Sequence, residues 1–192
     1  MTPYAITITR QFGSEGREIG KQLAERLHCH YYDRSVIEQE AAQKDESLAA
    51  LVALKQVEGY YKMAYPLGIG SSLKQEKMFQ AQSAVLLEHA AKENCVIVGR
   101  CADYVLKERE NVVNLFVRAS MSYRLQRAIV NYQVDEKKAA DIIMKNDKRR
   151  RNYYNYHVGE KWADLNNYDL VIRSDMCGID NAVKCIITYI GE

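Results

Sequence analysis

Residues 10–18 read Arg10-Gln11-Phe12-Gly13-Ser14-Glu15-Gly16-Arg17-Glu18. Closely spaced glycines next to a basic side chain are the parts of an anion cradle, in which backbone N–H groups aim at one point beside a fixed cation. The consensus phosphate loop is G-x-x-x-x-G-K-[ST]. Setting Gly16-Arg17 on its Gly-Lys pair puts Gln11 at the first glycine and Glu18 at the Ser/Thr position. Arg17 then brings the cation as a planar fork rather than a point charge. Glu18 replaces the magnesium-binding hydroxyl with a carboxylate. A plain strand-to-helix turn, with glycines that admit positive φ, accounts for the same residues.

A second group of cations lies at Lys145-Asn146-Asp147-Lys148-Arg149-Arg150-Arg151. Lys148 and Arg151 share a helix face, as do Lys145 and Arg149, so one side of this segment can close over phosphates. Arginine suits the charge that spreads over equatorial oxygens in phosphoryl transfer. A solvated helix face or an RNA-binding stripe explains the same run. Tyr153, Tyr154 and Tyr156 serve either to stack on a base or to pack a hinged segment.

These residues need a scaffold, and the apolar pattern supplies one. Tyr4 to Thr9 is rich in β-branched residues, and Ile19, Leu23 and Leu27 then recur at helical spacing. His30-Tyr31-Tyr32 reads as a short second strand ending at Asp33-Arg34-Ser35, with a helix resuming at Val36. A long helix is expected over Leu73–Glu93. Cys95 to Val98 is a continuous apolar run, as in a parallel strand covered on both faces, and stops at Gly99-Arg100. Val112 to Val117 forms a further strand, with Arg118 behind it and a helix marked by Leu125 and Ile129. A charged helix is expected from Asp135 to about Asn152, then an aromatic, polar stretch to Asn167. Tyr168 to Ile172 is the last strand and Ile179 to Ile187 the closing helix. Strands alternating with helices imply an α/β fold, a doubly wound five-stranded parallel sheet with right-handed crossovers. Its ligands bind beyond the carboxyl ends of the strands, where Arg10, Arg17, Arg34, Arg100 and Arg118 all fall.

With 192 residues, 47% hydrophobic and 27% charged, the chain reads as one domain, 1–192, carrying a flap insertion at about 45–72. A net charge of +2 argues against general nucleic-acid binding. No stretch approaches the roughly 20 apolar residues of a membrane span, and no signal segment is recognised. Five cysteines without a C-x-x-C pair read as reduced thiols of a cytoplasmic protein. Four histidines without an H-x-x-x-H pattern give no resident metal site. Monomer and homo-oligomer stay equally open.

Four blocks, in order, resemble the cytidylate kinase-like branch of the P-loop nucleoside monophosphate kinases. They are Ile8 to Ile19, Tyr31-Tyr32-Asp33, Val96 to Tyr104, and Asp147 to Arg150 continued by Tyr153 to Tyr156, Gly159, Lys161-Trp162 and Tyr168-Asp169-Leu170. The resemblance implies a five-stranded P-loop kinase fold with a monophosphate-binding flap and an arginine-rich lid, here at about 135–165. It implies transfer of the γ-phosphoryl of ATP, with Mg2+, to CMP or dCMP. On that basis Gly13, Ser14, Glu15, Gly16, Arg17 and Glu18 would cradle the ATP phosphates. Arg100 and Arg34 would bind the acceptor, and Asp33 and Asp103 would orient its hydroxyls or magnesium-bound water. Lys148, Arg149 and Arg151 would neutralise the transferring group together with Arg17 and Arg100. The chain departs from the family where Arg17 replaces lysine, where Cys101 follows Gly99-Arg100 in place of aspartate, and where Asp33-Arg34-Ser35 replaces Asp-Ser-Gly. A nucleotide-binding regulator without catalysis is the alternative those departures motivate, beside a kinase for another small-molecule acceptor.

Overall fold

The computed structural model describes residues 3–45, 48 and 72–191. Its strands are β1 (Ala5–Arg10), β2 (His30–Tyr32), β3 (Cys95–Val98), β4 (Val112–Arg118) and β5 (Leu170–Arg173). All pair in parallel, in the order β2-β3-β1-β4-β5. The helices are α1 (Gly16–Arg26), α2 (Arg34–Lys44), α3 (Ser72–Lys92), the single turn α4 (Ala102–Val105), α5 (Met121–Tyr132), α6 (Glu136–Val158) and α7 (Ser174–Ile190), with a non-helical break in α7 at Gly178. This is the five-stranded, all-parallel α/β sheet that the alternation of strands and helices implies.

The central strands are apolar on both sides because both sides are covered. Ile6, Ile8, Val96, Val98, Leu115 and Val117 face α1 and α7, in a cluster with Ile19, Leu23, Val183 and Ile186. Ala5, Cys95 and Ile97 face α2 and α3, packing with Ile37, Met78, Val85 and Leu86. Register aligns the strand ends: Ile8 pairs with Val98 and Leu115, Arg10 with Val117, Arg118 with Arg173, and Tyr32 with Ile97. The loops after β1, β2 and β3 therefore open along one sheet edge.

Several boundaries differ from the sequence expectation. Helix α2 begins at Arg34 rather than Val36, because Asp33 caps it by accepting from the Ser35 and Val36 amides. Helix α6 does not stop near Asn152 but continues to Val158, ended by Gly159 at φ 76°. Its last turns lack aliphatic periodicity; Tyr154 instead packs among Cys101, Phe116, Trp162 and Tyr168. The proposed flap at 45–72 lies outside the described residues except for its ends and Leu48, which is buried beside α2 and α3.

Candidate active site

The loop between β1 and α1 is held by side chains that point away from any ligand. Ser14 is fully buried, and its Oγ donates to the Gln11 carbonyl at 2.9 Å and the Val117 carbonyl at 3.0 Å. The Ser174 hydroxyl donates to the Ser14 carbonyl at 2.8 Å. Glu15, the N-cap of α1, sits in the left-handed region at φ 60°, and no side chain caps the helix. Its carboxylate turns toward α5, 3.4 Å from Arg127 Nε and 3.3 Å from Asn131 Nδ2. Burial pushes the Glu15 carboxyl up, against the pull of Arg127. The first-turn amides of Gly16, Arg17 and Glu18 thus open onto an uncapped, positively polarised helix end.

Arg17 reaches across the mouth of that loop to Asp33, with Nε at 2.9 Å and Nη2 at 2.5 Å from the same carboxylate oxygen. The other oxygen accepts from the Ser35 amide at 2.9 Å and the Ser35 hydroxyl at 2.7 Å. Burial acts to raise the Asp33 carboxyl, but the Ser35 and Arg17 bonds outweigh it and hold it below the usual range. The two residues assigned from sequence to opposite substrates are therefore one pair.

Next to this pair, reached through Arg34, lies an open cleft lined by Thr9, Arg10, Arg34, Gly99, Arg100, Cys101, Arg150, Tyr153, Tyr154 and Trp162. Four guanidinium groups and no carboxylate are in that lining. The turn after β3 presents Arg100 through three consecutive positive φ values, 81° at Gly99, 62° at Arg100 and 55° at Cys101. Left-handed backbone costs a non-glycine residue about 1–2 kcal/mol, and such strain concentrates at sites of function. A Cβ at Gly99 would displace the end of the Arg10 side chain, whose Nη1 lies 2.1 Å from that position, so the bare glycine leaves room for this guanidinium in the turn. Behind the cleft the buried Glu38 Oε1 accepts from Arg34 Nε at 3.0 Å, Arg100 Nη1 at 3.3 Å and Gln82 Nε2 at 3.3 Å. Gln82 in turn accepts from the Tyr153 hydroxyl at 3.1 Å, and the Arg100 guanidinium lies 4.4 Å from the Tyr153 ring centre.

The cations of α6 divide by face. Lys148, Arg149 and Arg151 are exposed, with Arg151 stacked 5.9 Å from the Trp162 ring. Arg150 is the one that enters the cleft, and its Nη1 donates to the Arg10 carbonyl at 2.8 Å. Arg10, Glu38 and Arg150 had no assigned role from sequence. A signal existed for Arg150: it shares the stripe Ile143, Asp147, Arg150, Tyr154, whose other members are all buried. Asp103 is not in the cleft lining. It lies beneath, accepting from the Tyr154 hydroxyl at 2.7 Å with its second oxygen unpartnered among the described residues. Burial pushes its carboxyl up, and the Tyr154 bond offsets only part of that.

A family model described as cytidylate kinase-like matches residues 5–176. The chain belongs to the cytidylate kinase-like family. The cytidylate kinase of Saccharolobus islandicus (strain L.S.2.15 / Lassen #1) is 25% identical over 102 residues, 53% of this chain and 53% of that protein. The alignment thus spans about half the length of the curated relatives. An uncharacterized protein from Eubacterium ventriosum ATCC 27560 superposes with TM-score 0.77 at 27% identity, over 97% of this chain and 98% of that one. A shikimate kinase from Bacteroides thetaiotaomicron shares the fold with TM-score 0.58 at 12% identity, over 98% of this chain and 99% of that one. In this cytidylate kinase-like chain, no helix of the described residues is long and apolar enough to cross a membrane.

The helix start beside the loop is uncapped and so open to an anion such as a phosphate, and Gly13, at φ 76°, packs so closely on α5 that a Cβ would meet the Arg124 carbonyl at 2.9 Å. Magnesium finds no comparable cage. Among the described residues no group of three or more His, Cys, Asp or Glu side chains suits a metal, and Glu18 occupies the usual hydroxyl position.

Proposed function

We propose that this chain is an ATP-dependent kinase acting on a nucleoside monophosphate, with CMP or dCMP as the default acceptor. The observation that carries the reading is the convergence of Arg10, Arg34, Arg100 and Arg150 on one cleft beside an uncapped glycine-turn helix start. Two adjacent anion sites at one sheet edge suit the transfer of a phosphoryl group between two phosphates. The amides of residues 13–18 hold the ATP phosphates, and Arg17 exchanges Asp33 for them on binding. Asp33 keeps the Ser35 amide and hydroxyl as donors in that exchange.

Arg34 and Arg100, fixed from behind by Glu38, bind the acceptor phosphate. Tyr153 offers a flat surface for the acceptor body, and Asp103 supports that wall through Tyr154. Arg150 sits between the two anion sites and neutralises charge on the transferring group; Lys148, Arg149 and Arg151 add a longer-range positive field from the exposed face. Magnesium enters as an ion carried on the nucleotide phosphates, and no protein step depends on a ligand cage for it. Positioning and charge do the rest, since this chemistry needs no covalent nucleophile.

The test is ADP formation from ATP and Mg2+ against a panel of nucleoside monophosphates, with shikimate and other small hydroxyl compounds as further acceptors. Acceptor-dependent turnover with CMP or dCMP supports the reading; turnover only with a non-nucleotide keeps the kinase and removes the acceptor. A second reading, a nucleotide-binding regulator, is favoured by the engagement of Arg17 with Asp33 and by Glu18 at the hydroxyl position. It expects ATP to raise the melting temperature with no ADP formed by any acceptor.

A further inference from the structure

The backbone of Phe12, at the start of the phosphate loop, is gripped on both its N–H and its carbonyl by side chains of two other helices. Its N–H donates to Asp147 Oδ1 of α6 at 2.7 Å, and its carbonyl accepts from Arg124 Nε of α5 at 2.7 Å. Arg124 Nη2 and Asp147 Oδ2 close the ring as an ion pair. Arg124 is 5% exposed and Asp147 9%, so the ring operates away from solvent. Three residues further along α6, Arg150 bonds the Arg10 carbonyl on the other side of the loop start. The Phe12 ring packs with Ala128 of α5 and with Ala139 and Ile143 of α6, so apolar contact and polar grip act on the same residue.

We propose that the Arg124–Asp147 pair is a positioning device that presets the phosphate loop and locks α6, with Arg150, to it. The proposal rests on reading this loop as the ATP-phosphate site. The physical argument is one of entropy and of geometry. A glycine-containing loop that must be ordered when an anion arrives loses about a factor of ten in affinity for each residue fixed. Clamping the N–H and the C=O of one residue fixes the two peptide planes that flank it, and so removes two soft dihedrals before the ligand comes. A buried ion pair contributes little net stability compared with an apolar pair of the same volume, so stability alone does not account for placing one here. What an apolar pair cannot do is bind an N–H and a C=O of the loop together.

That contrast supplies the experiment. Asp147→Asn and Arg124→Lys each break the ring, whereas Arg124→Met with Asp147→Leu replaces the pair by apolar volume. ATP affinity is measured by calorimetry without acceptor, and backbone order parameters of residues 13–16 by NMR on the nucleotide-free protein. The expected result is that the double variant regains the melting temperature lost by Asp147→Asn, yet binds ATP about tenfold more weakly than wild type. Its order parameters at residues 13–16 should drop from about 0.85 toward 0.6. Should the double variant not fold, Arg124→Lys carries the same expectation, since a single ammonium cannot span Phe12 and Asp147 together. Wild-type ATP affinity and loop order in a folded variant lacking the ring overturn the proposal. Loop order lost in the variant while wild type itself binds no ATP upholds the clamp and overturns the phosphate-site reading instead.

Discussion

Arg17→Ala separates the two things that Arg17 does. In the unliganded protein it is half of an ion pair, with Nε and Nη2 on one oxygen of Asp33 at 2.9 and 2.5 Å. Its side chain is 32% exposed and that of Asp33 7%. Solvent reaches one partner, so the loss falls between the surface and buried ranges, about 1–2 kcal/mol. For a chain of this size that lowers the melting temperature by roughly 2–8 °C. Turnover should fall much further. Removing one preorganised donor to developing charge costs about 100- to 1000-fold, or about 2.7–4 kcal/mol of transition-state stabilisation. Steady-state kinetics with ATP and acceptor varied separately, beside thermal denaturation, measures both. Arg17→Ala should lower kcat and weaken the response to ATP. Asp33→Asn keeps the cap on α2 but weakens the pair that Arg17 must leave to reach the ATP phosphates, so it should lower the ATP KM rather than raise it. Identical kinetic profiles for the two variants would refute the reasoning, because Arg17 would then act only by bracing Asp33. Arg17→Lys should give partial turnover, as a lysine restores charge without the fork.

Arg150→Ala should cost turnover by about 100-fold or more, while Arg149→Ala, on the exposed face of the same helix, should change kcat by less than about threefold; equal effects in the same assay would reject the division of α6 into faces. Glu38→Gln takes away the carboxylate that Arg34 and Arg100 share, so the acceptor KM should rise about tenfold with kcat less affected. Two carboxylates should give stability effects of opposite sign with pH, read from urea denaturation at pH 3 and pH 7. Asp33 titrates below its ordinary 3.8 in the fold, so its stabilisation is present above that value and lost as pH falls through the folded pKa; Asp33→Asn should cost more at pH 7 than at pH 3. Asp103 titrates above 3.8, so its contribution is full below that value and lost as pH rises through the folded pKa. Asp103→Asn keeps an acceptor for Tyr154 and should match wild type at pH 3, then equal or exceed its stability at pH 7.

The parallel sheet and the glycine turns at its strand ends are legible along the chain. Runs such as Cys95 to Val98 are apolar at every position because parallel strands are covered on both faces, and that pattern is local. Gly13 and Gly16 between a strand and an amphipathic helix are equally local, as is Gly99 after β3. Tertiary structure alone decided which polar side chains meet. Helical periodicity makes Lys148, Arg149, Arg150 and Arg151 equivalent up to a rotation, and the rotation of α6 is set by where Ile143, Asp147 and Tyr154 are buried. Pairing of Arg17 with Asp33 depends on the starts of α1 and α2, which cover opposite faces, meeting at one sheet edge, and the sharing of Glu38 by Arg34 and Arg100 on the approach of α2 to the turn after β3. Ser14 and Glu15 are expected from sequence to meet an anion through backbone N–H groups, and only the packed fold shows where their side chains go, to the Val117 carbonyl and to α5. Hydrophobic period and glycine spacing are written along the chain. Partners brought together across 16 to 140 positions, Arg17 to Asp33 and Arg10 to Arg150, exist only once the packed sheet fixes their distance.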